Sequence, residues 1–166
     1  MIFGAMSIDA TQWVGIAGFA VAALLCARAA RNGSKGWWIL AGLITLLIVE
    51  IVAGWRYRLH DVVDAFLIHR GWYESRSPWQ MAMIAVAVLM LLAAGYAGRV
   101  RIHSKAFVSA VIAVCFAVGI FVIEAISLHG IDSMLYRPVG PVLVIAFFWL
   151  AASTWISWTA LMAARR

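Results

Sequence analysis

Five long apolar runs follow one another along the chain and are separated by short polar segments. Their predicted limits are 11–30, 37–55, 79–97, 106–127 and 139–162. Because about 20 apolar residues in an α-helix cross the hydrocarbon core of a bilayer, each run predicts one membrane-spanning helix. The sequence therefore predicts an all-α integral membrane protein, with five transmembrane helices in one bundle and a single membrane domain over residues 1–166.

The longest polar segment, 56–78, joins the second and third predicted spans and keeps a helical periodicity. Leu59, Val62 and Phe66 recur at spacings of three and four residues, which places them on one face, and the other side is polar. The segment is expected either to continue the second span beyond the membrane or to lie as an amphipathic helix in the interface. In both cases it covers one face of the bundle.

Composition supports the membrane class: the chain is 66% hydrophobic and 12% charged, whereas about a quarter of the residues of a soluble domain are charged. The lipid bilayer is therefore the expected surrounding. The net charge of +6 comes from short basic clusters between the apolar runs. Such clusters are typical of the loops that set the orientation of a membrane protein, so no nucleic-acid partner is expected.

Cys26 and Cys115 lie inside apolar runs without a CxxC motif. They are therefore interpreted as small buried hydrophobic residues rather than as a disulfide or a zinc site.

The basic turns predict the orientation in the membrane. Segments 28–35 and 99–105 each contain three Lys or Arg residues and no acid, and the chain ends in Arg165-Arg166. The positive-inside rule places such segments in the cytoplasm. We expect a bacterial-type inner membrane, with the N-terminus, 56–78 and 128–137 on the non-cytoplasmic side. Four arginines within 56–78 count against this orientation, but their position beside acids and histidines indicates a paired, folded segment.

Two glutamates inside predicted spans, Glu50 and Glu124, are the first candidates for chemistry. An ionisable residue in a span faces the bundle interior and has a partner or a function. From Glu50, Arg58 and Asp61 continue one helical row. One interpretation is a buried Arg–Glu network that locks spans two and four; the other is a proton-accepting carboxylate or a cation ligand.

A metal site is a second possibility. His60 and Asp64 are four residues apart and can share a helical face, and His129 and Asp132 follow the fourth span on the same side of the membrane. Two histidines and two carboxylates suit zinc, iron or manganese. The alternative is a solvated, salt-bridged interfacial helix. Bis-histidine ligation of a b-type haem by His60, His69 or His129 is a further interpretation.

The segment GWYESRSPWQ, 71–80, combines tyrosine, tryptophan and arginine side chains, which suit both protein interaction sites and lipid headgroups. With it, the predicted binding residues all fall on the non-cytoplasmic face. They are Glu50, Arg56, Arg58, His60, Asp64, His69, Arg70, Tyr73, Glu74, Arg76, Glu124, His129, Asp132 and Arg137.

These features predict a small integral subunit or binding module, whose polar face docks a partner protein, a lipid headgroup or a small ligand. Small-residue faces on spans one, three and four favour a homo-oligomer or association with other membrane subunits. The alternative is a membrane-embedded metal- or haem-dependent hydrolase or oxidoreductase, with its site between the outer ends of spans two and four. The GxSxG, GxGxxG and GxxxxGK[ST] motifs do not occur.

Overall fold

In the computed structural model, the described residues are 8–32, 35–55, 104–126 and 129–165, together with single positions between 58 and 92. Within the four continuous ranges the chain forms five helices and one short hairpin. The elements are α1 (Ala10–Asn32), α2 (Gly36–Ala53), α3 (Lys105–Ile126), α4 (His129–Leu135), β1 (Pro138–Val139), β2 (Val142–Leu143) and α5 (Val144–Ala164).

Four of these helices, α1, α2, α3 and α5, are long and apolar enough to cross a membrane, and they pack together. The predicted all-α membrane fold is thereby confirmed for four spans, and most of their predicted limits agree within two residues. The predicted third span, 79–97, falls outside the described residues except at single positions. It stays a prediction.

The start of the last span and the loop before it differ from the prediction. Span five was expected from 139, but residues 138–143 form an antiparallel hairpin in which Val139 pairs with Val142, and the helix starts at Val144. Gly140 has a φ of 63° at the first central position of the turn, and Pro141 has a fixed negative φ at the second, the combination of a type II′ turn. The predicted loop 128–137 contains the helix α4.

Helix α1 lies at the centre of the packing and contacts both α2 and α5, while α3 packs along α5. Each helix turns one row of side chains inward at spacings of three and four residues. On α5, for example, Trp149, Ala152, Ile156 and Ala160 are buried. The apolar side chains on the opposite faces are exposed in the isolated chain, as expected of surfaces that lipid solvates.

Two glycines bring α1 close to α5. A Cβ atom at Gly15 would lie 2.6 Å from Cε3 of Trp149, and one at Gly18 would lie 2.5 Å from the Ser153 hydroxyl oxygen. The small-residue face of span one, expected to serve association with other subunits, therefore packs inside the chain at these positions. Association through other faces stays a prediction.

The two ends of the bundle are built differently. At one end, residues 33–35 join α1 to α2, and the Trp37 ring meets the Phe107 ring edge-on, with ring centroids 5.1 Å apart. We call this the turn end. The opposite end carries α4 and the hairpin; we call residues 129–143 the cap and this end the cap end.

Candidate functional site

The cap is fastened to α3 through a buried carboxylate. Glu124 lies in the last turns of α3 with only 5% of its surface exposed. Tyr136 directly follows α4, and its hydroxyl donates a 2.9 Å hydrogen bond to Glu124 Oε1. A carboxylate at this depth needs such a partner because burial otherwise costs the free energy of its hydration. The bond therefore satisfies part of the Glu124 carboxylate and holds the cap over the end of α3.

A second hydrogen bond fastens the cap to α1. The backbone N–H of Leu143, at the end of the hairpin, donates to the Thr11 hydroxyl oxygen at 3.0 Å. Thr11 is buried in the first turn of α1. The hairpin itself is closed by the Val144 N–H, which donates to the Arg137 carbonyl at 3.0 Å. The cap is thus attached to the bundle at two points, Tyr136 and Leu143, which lie on either side of the hairpin turn.

The start of α1 is also joined to the end of α2. Asp9 and Gln12 form a capping box: the Gln12 N–H donates to Asp9 Oδ1 at 2.7 Å, and the Asp9 N–H donates to Gln12 Oε1 at 3.0 Å. The Gln12 amide Nε2 then donates to the Ile51 carbonyl at 3.2 Å. The Gln12 side chain thus pairs with the Asp9 N–H at the start of α1 and with the Ile51 carbonyl at the end of α2. Backbone groups at helix ends have no partner within their own helices.

The predicted helical row from Glu50 is interrupted. Gly54 has a φ of 61°, and its N–H donates to the Glu50 carbonyl at 2.7 Å, which ends α2 after Ala53. This is the left-handed glycine cap that commonly terminates helices. Glu50, Arg58 and Asp61 therefore do not lie on one continuous helix. Pairing between Glu50 and Arg58 through another geometry stays a prediction.

The structure describes only part of the predicted binding set. Glu50 is half-buried in the last turn of α2, Asp132 is half-buried in α4, and Arg137 is exposed beside the hairpin. Arg58, His69 and Arg70 are exposed. The remaining positions lie outside the described residues: Arg56, His60, Asp64, Tyr73, Glu74 and Arg76, together with the side chain of His129.

The predicted metal and haem sites are not tested by this geometry. Among the side chains that the structure describes, no group of three or more His, Cys, Asp or Glu residues is close enough to hold a metal ion. However, His60, Asp64 and the side chain of His129, which are three of the four proposed ligands, lie outside that part of the chain. Both sites stay predictions.

Sequence reasoning missed four residues that build the cap end: Asp9, Thr11, Gln12 and Tyr136. The Asp9 and Gln12 pair had a detectable signal, because an N-cap residue followed three positions later by Glu or Gln before an apolar run is typical of a capping box. Tyr136 and Thr11 had none, since their partners are 12 and 132 residues away in the chain.

No protein-family model matches this chain, and no curated protein or solved structure is significantly similar to it.

Proposed function

We propose that this chain is a small integral membrane binding module that acts as a subunit and docks its partner or ligand through the cap. One observation carries the proposal: the cap is a built structure, held to α1 by the Leu143–Thr11 hydrogen bond and to α3 by the Tyr136–Glu124 hydrogen bond. The hairpin between these two attachment points presents its exposed side chains in one arrangement, which lowers the entropic cost of binding.

The exposed side chains of the cap support a docking role. Met134 and Val139 are about half exposed, and Arg137 lies between them in the chain with an exposed side chain. Arginine and methionine are residue types enriched at interaction sites. Of the acidic residues nearby, Glu124 is buried and Asp132 is half-buried. Arg137 is therefore the charged side chain that is exposed among the described side chains of the cap.

We also propose five membrane crossings, with the cap on the non-cytoplasmic side. The contact of Gln12 with Ile51 puts the end of α2 at the cap end, and the contact of Trp37 with Phe107 puts the start of α3 at the turn end. A chain that leaves one end and re-enters at the other crosses the membrane an odd number of times in between. The apolar run 79–97 suits a single crossing, and the positive-inside rule then orients the bundle.

Site-specific photocrosslinking in the native membrane tests the docking role. A photoreactive amino acid is placed at Met134 or Val139 in the full chain, with Leu24 as the matched control because it is 72% exposed in the middle of α1. The expected result is one discrete adduct at the cap positions, either a protein or a single lipid class. Leu24 is expected to give lipid adducts in the proportions of the bulk membrane.

Adducts at Met134 and Val139 that match those at Leu24 would rule out the docking role. The orientation is tested separately, with single cysteines at 134 and 165 in a variant that lacks Cys26 and Cys115. A membrane-impermeant maleimide applied to intact cells is expected to label position 134 and not position 165. The opposite labelling pattern would invert the proposed orientation.

A further inference from the structure

We infer that the cap binds the phosphate group of an anionic phospholipid in the leaflet at the cap end, with the Arg137 guanidinium as the donor. The inference rests on the proposed docking function and names the ligand class. It follows from the way the Arg137 main chain is held, from the apolar side chains around it, and from the depth at which the cap lies.

The Arg137 main chain is held on both sides. Its N–H donates to the Met134 carbonyl at 3.3 Å, and its carbonyl accepts from the Val144 N–H at 3.0 Å. The side chain is exposed, and its guanidinium makes no hydrogen bond or ion pair within the part of the chain that the structure describes. A guanidinium is planar with five donors, and its fork matches two oxygens of a phosphate.

The side chains on either side of Arg137 are apolar and exposed. Met134 is 52% exposed and Val139 is 46% exposed, and Pro138 and Pro141 of the hairpin are exposed as well. On the inner side of α4, Leu135 is buried against the bundle core. The exposed side chains of the cap that the structure describes are thus mostly apolar, apart from Ser133 and the cation of Arg137.

The position of the cap explains how an exposed apolar surface is tolerated. Helix α3 ends at Ile126 and α5 begins at Val144, so the cap lies directly at the ends of two spanning helices. This is the depth of the headgroup and acyl boundary, where apolar side chains contact the acyl chains and basic side chains reach the phosphates. A phospholipid can bind Arg137 through its phosphate and contact Met134 and Val139 through its acyl chains, whereas a free phosphate can bind only Arg137.

The test is lipid binding to the full chain in detergent, measured by native mass spectrometry with added phosphatidylglycerol or phosphatidylcholine. Phosphatidylglycerol is expected to bind in preference, and Arg137→Gln is expected to weaken its binding about fivefold, the effect typical of one basic residue at an anionic surface. Arg165→Gln is the matched control, because Arg165 is also exposed but lies just past the end of α5 at the turn end.

Further arms identify the source of the phosphate. Inorganic phosphate is not expected to displace the lipid, and Met134→Ser with Val139→Ser is expected to weaken phosphatidylglycerol binding without changing the helical circular dichroism. Equal phosphatidylglycerol binding by the parent and Arg137→Gln proteins would overturn the inference, as would equal weakening by Arg165→Gln. A discrete protein adduct at Met134, without lipid preference, would overturn this inference and leave the docking function standing.

Discussion

The cap end and the turn end of the bundle are held by different kinds of interaction. At the cap end, the side chains of Gln12, Thr11 and Tyr136 each make a hydrogen bond to a different element. Among the described residues of the turn end, Trp37 packs edge-on against Phe107. The polar contacts at the cap end follow from its connections, because a helix and a hairpin bring many backbone groups that need partners.

An aromatic layer lies between the two ends, in the half nearer the cap. The Phe121 and Trp149 rings are stacked with centroids 5.5 Å apart, and Phe19 lies 6.3 Å from Phe121. Trp149 also meets Gly15 of α1. This layer joins three of the four described spans. Its loss is therefore expected to lower the stability of the whole bundle, at the cap end and at the turn end alike.

The largest expected effect is therefore that of Trp149→Ala. Trp149 is 1% exposed, and removing a buried tryptophan leaves a cavity that costs about 3–5 kcal/mol. The measurement is the free energy of unfolding in mixed micelles, followed by circular dichroism. Trp158→Ala is the control on the same helix, because Trp158 is 64% exposed. Equal losses for the two variants would contradict the packing described here.

The next effect concerns close approach of the helices. Gly15→Ala is expected to cost about 1–3 kcal/mol, because the new methyl group would overlap the Trp149 ring, which is fixed by stacking on Phe121. Gly36→Ala at the turn end is expected to cost less, since the atom nearest to its Cβ is the tip of the Phe107 ring, which belongs to the first turn of α3.

Gly42→Ala is the control for this pair. Outside its own helix backbone, no atom of the described residues lies within 4 Å of a Cβ at Gly42, so the change is expected to stabilise α2 by about 0.5–1 kcal/mol, the difference in helix propensity. The free energies of unfolding of the three variants are compared under one set of conditions. A Gly36→Ala variant less stable than Gly15→Ala would show that the turn end constrains the bundle more than the aromatic layer does.

These contacts show what a sequence can reveal about such a protein. The four described spans were predicted because continuous apolar runs of membrane length have few other structures available to them. The hairpin was missed because Val139, Val142 and Leu143 extend the apolar run of α5, and only Gly140 and Pro141 mark the turn. Glu124 was singled out correctly as a buried group, but its partner Tyr136 depends on how α4 folds back, which no local pattern encodes.

The polar attachment at the cap end is tested with Tyr136→Phe. The change removes the hydroxyl that donates to Glu124 and keeps the ring. The expected loss is about 1–2 kcal/mol, since the change removes a hydrogen-bond donor from the buried oxygen of Glu124. Glu124→Gln keeps an acceptor for the Tyr136 hydroxyl, whereas Glu124→Leu does not, so Glu124→Leu is expected to be the less stable of the two.

Proteolysis of detergent-purified protein provides the local measurement for Tyr136→Phe. Chymotryptic cleavage after Leu135, which is buried, requires the cap to open, and opening is expected to become more frequent when the bond to Glu124 is lost. Trp149→Ala, in contrast, is expected to raise cleavage across the whole chain. Unchanged chymotryptic cleavage after Leu135 in Tyr136→Phe would mean that this bond does not hold the cap.

The smallest expected effect is at the turn end, where the Trp155 indole N–H donates to the Ser109 hydroxyl oxygen at 2.9 Å. This bond links α5 to α3 but is exposed, and hydrogen bonds between membrane helices contribute only about 0.6 kcal/mol on average. A double-mutant cycle with Ser109→Ala and Trp155→Phe separates the energy of this hydrogen bond from the energy lost because phenylalanine has a smaller ring than tryptophan. The expected coupling is about 0.6 kcal/mol, below that of Tyr136 with Glu124. A coupling energy at the turn end that equals or exceeds the one at the cap end would remove the distinction between an end held by polar bonds and an end held by packing.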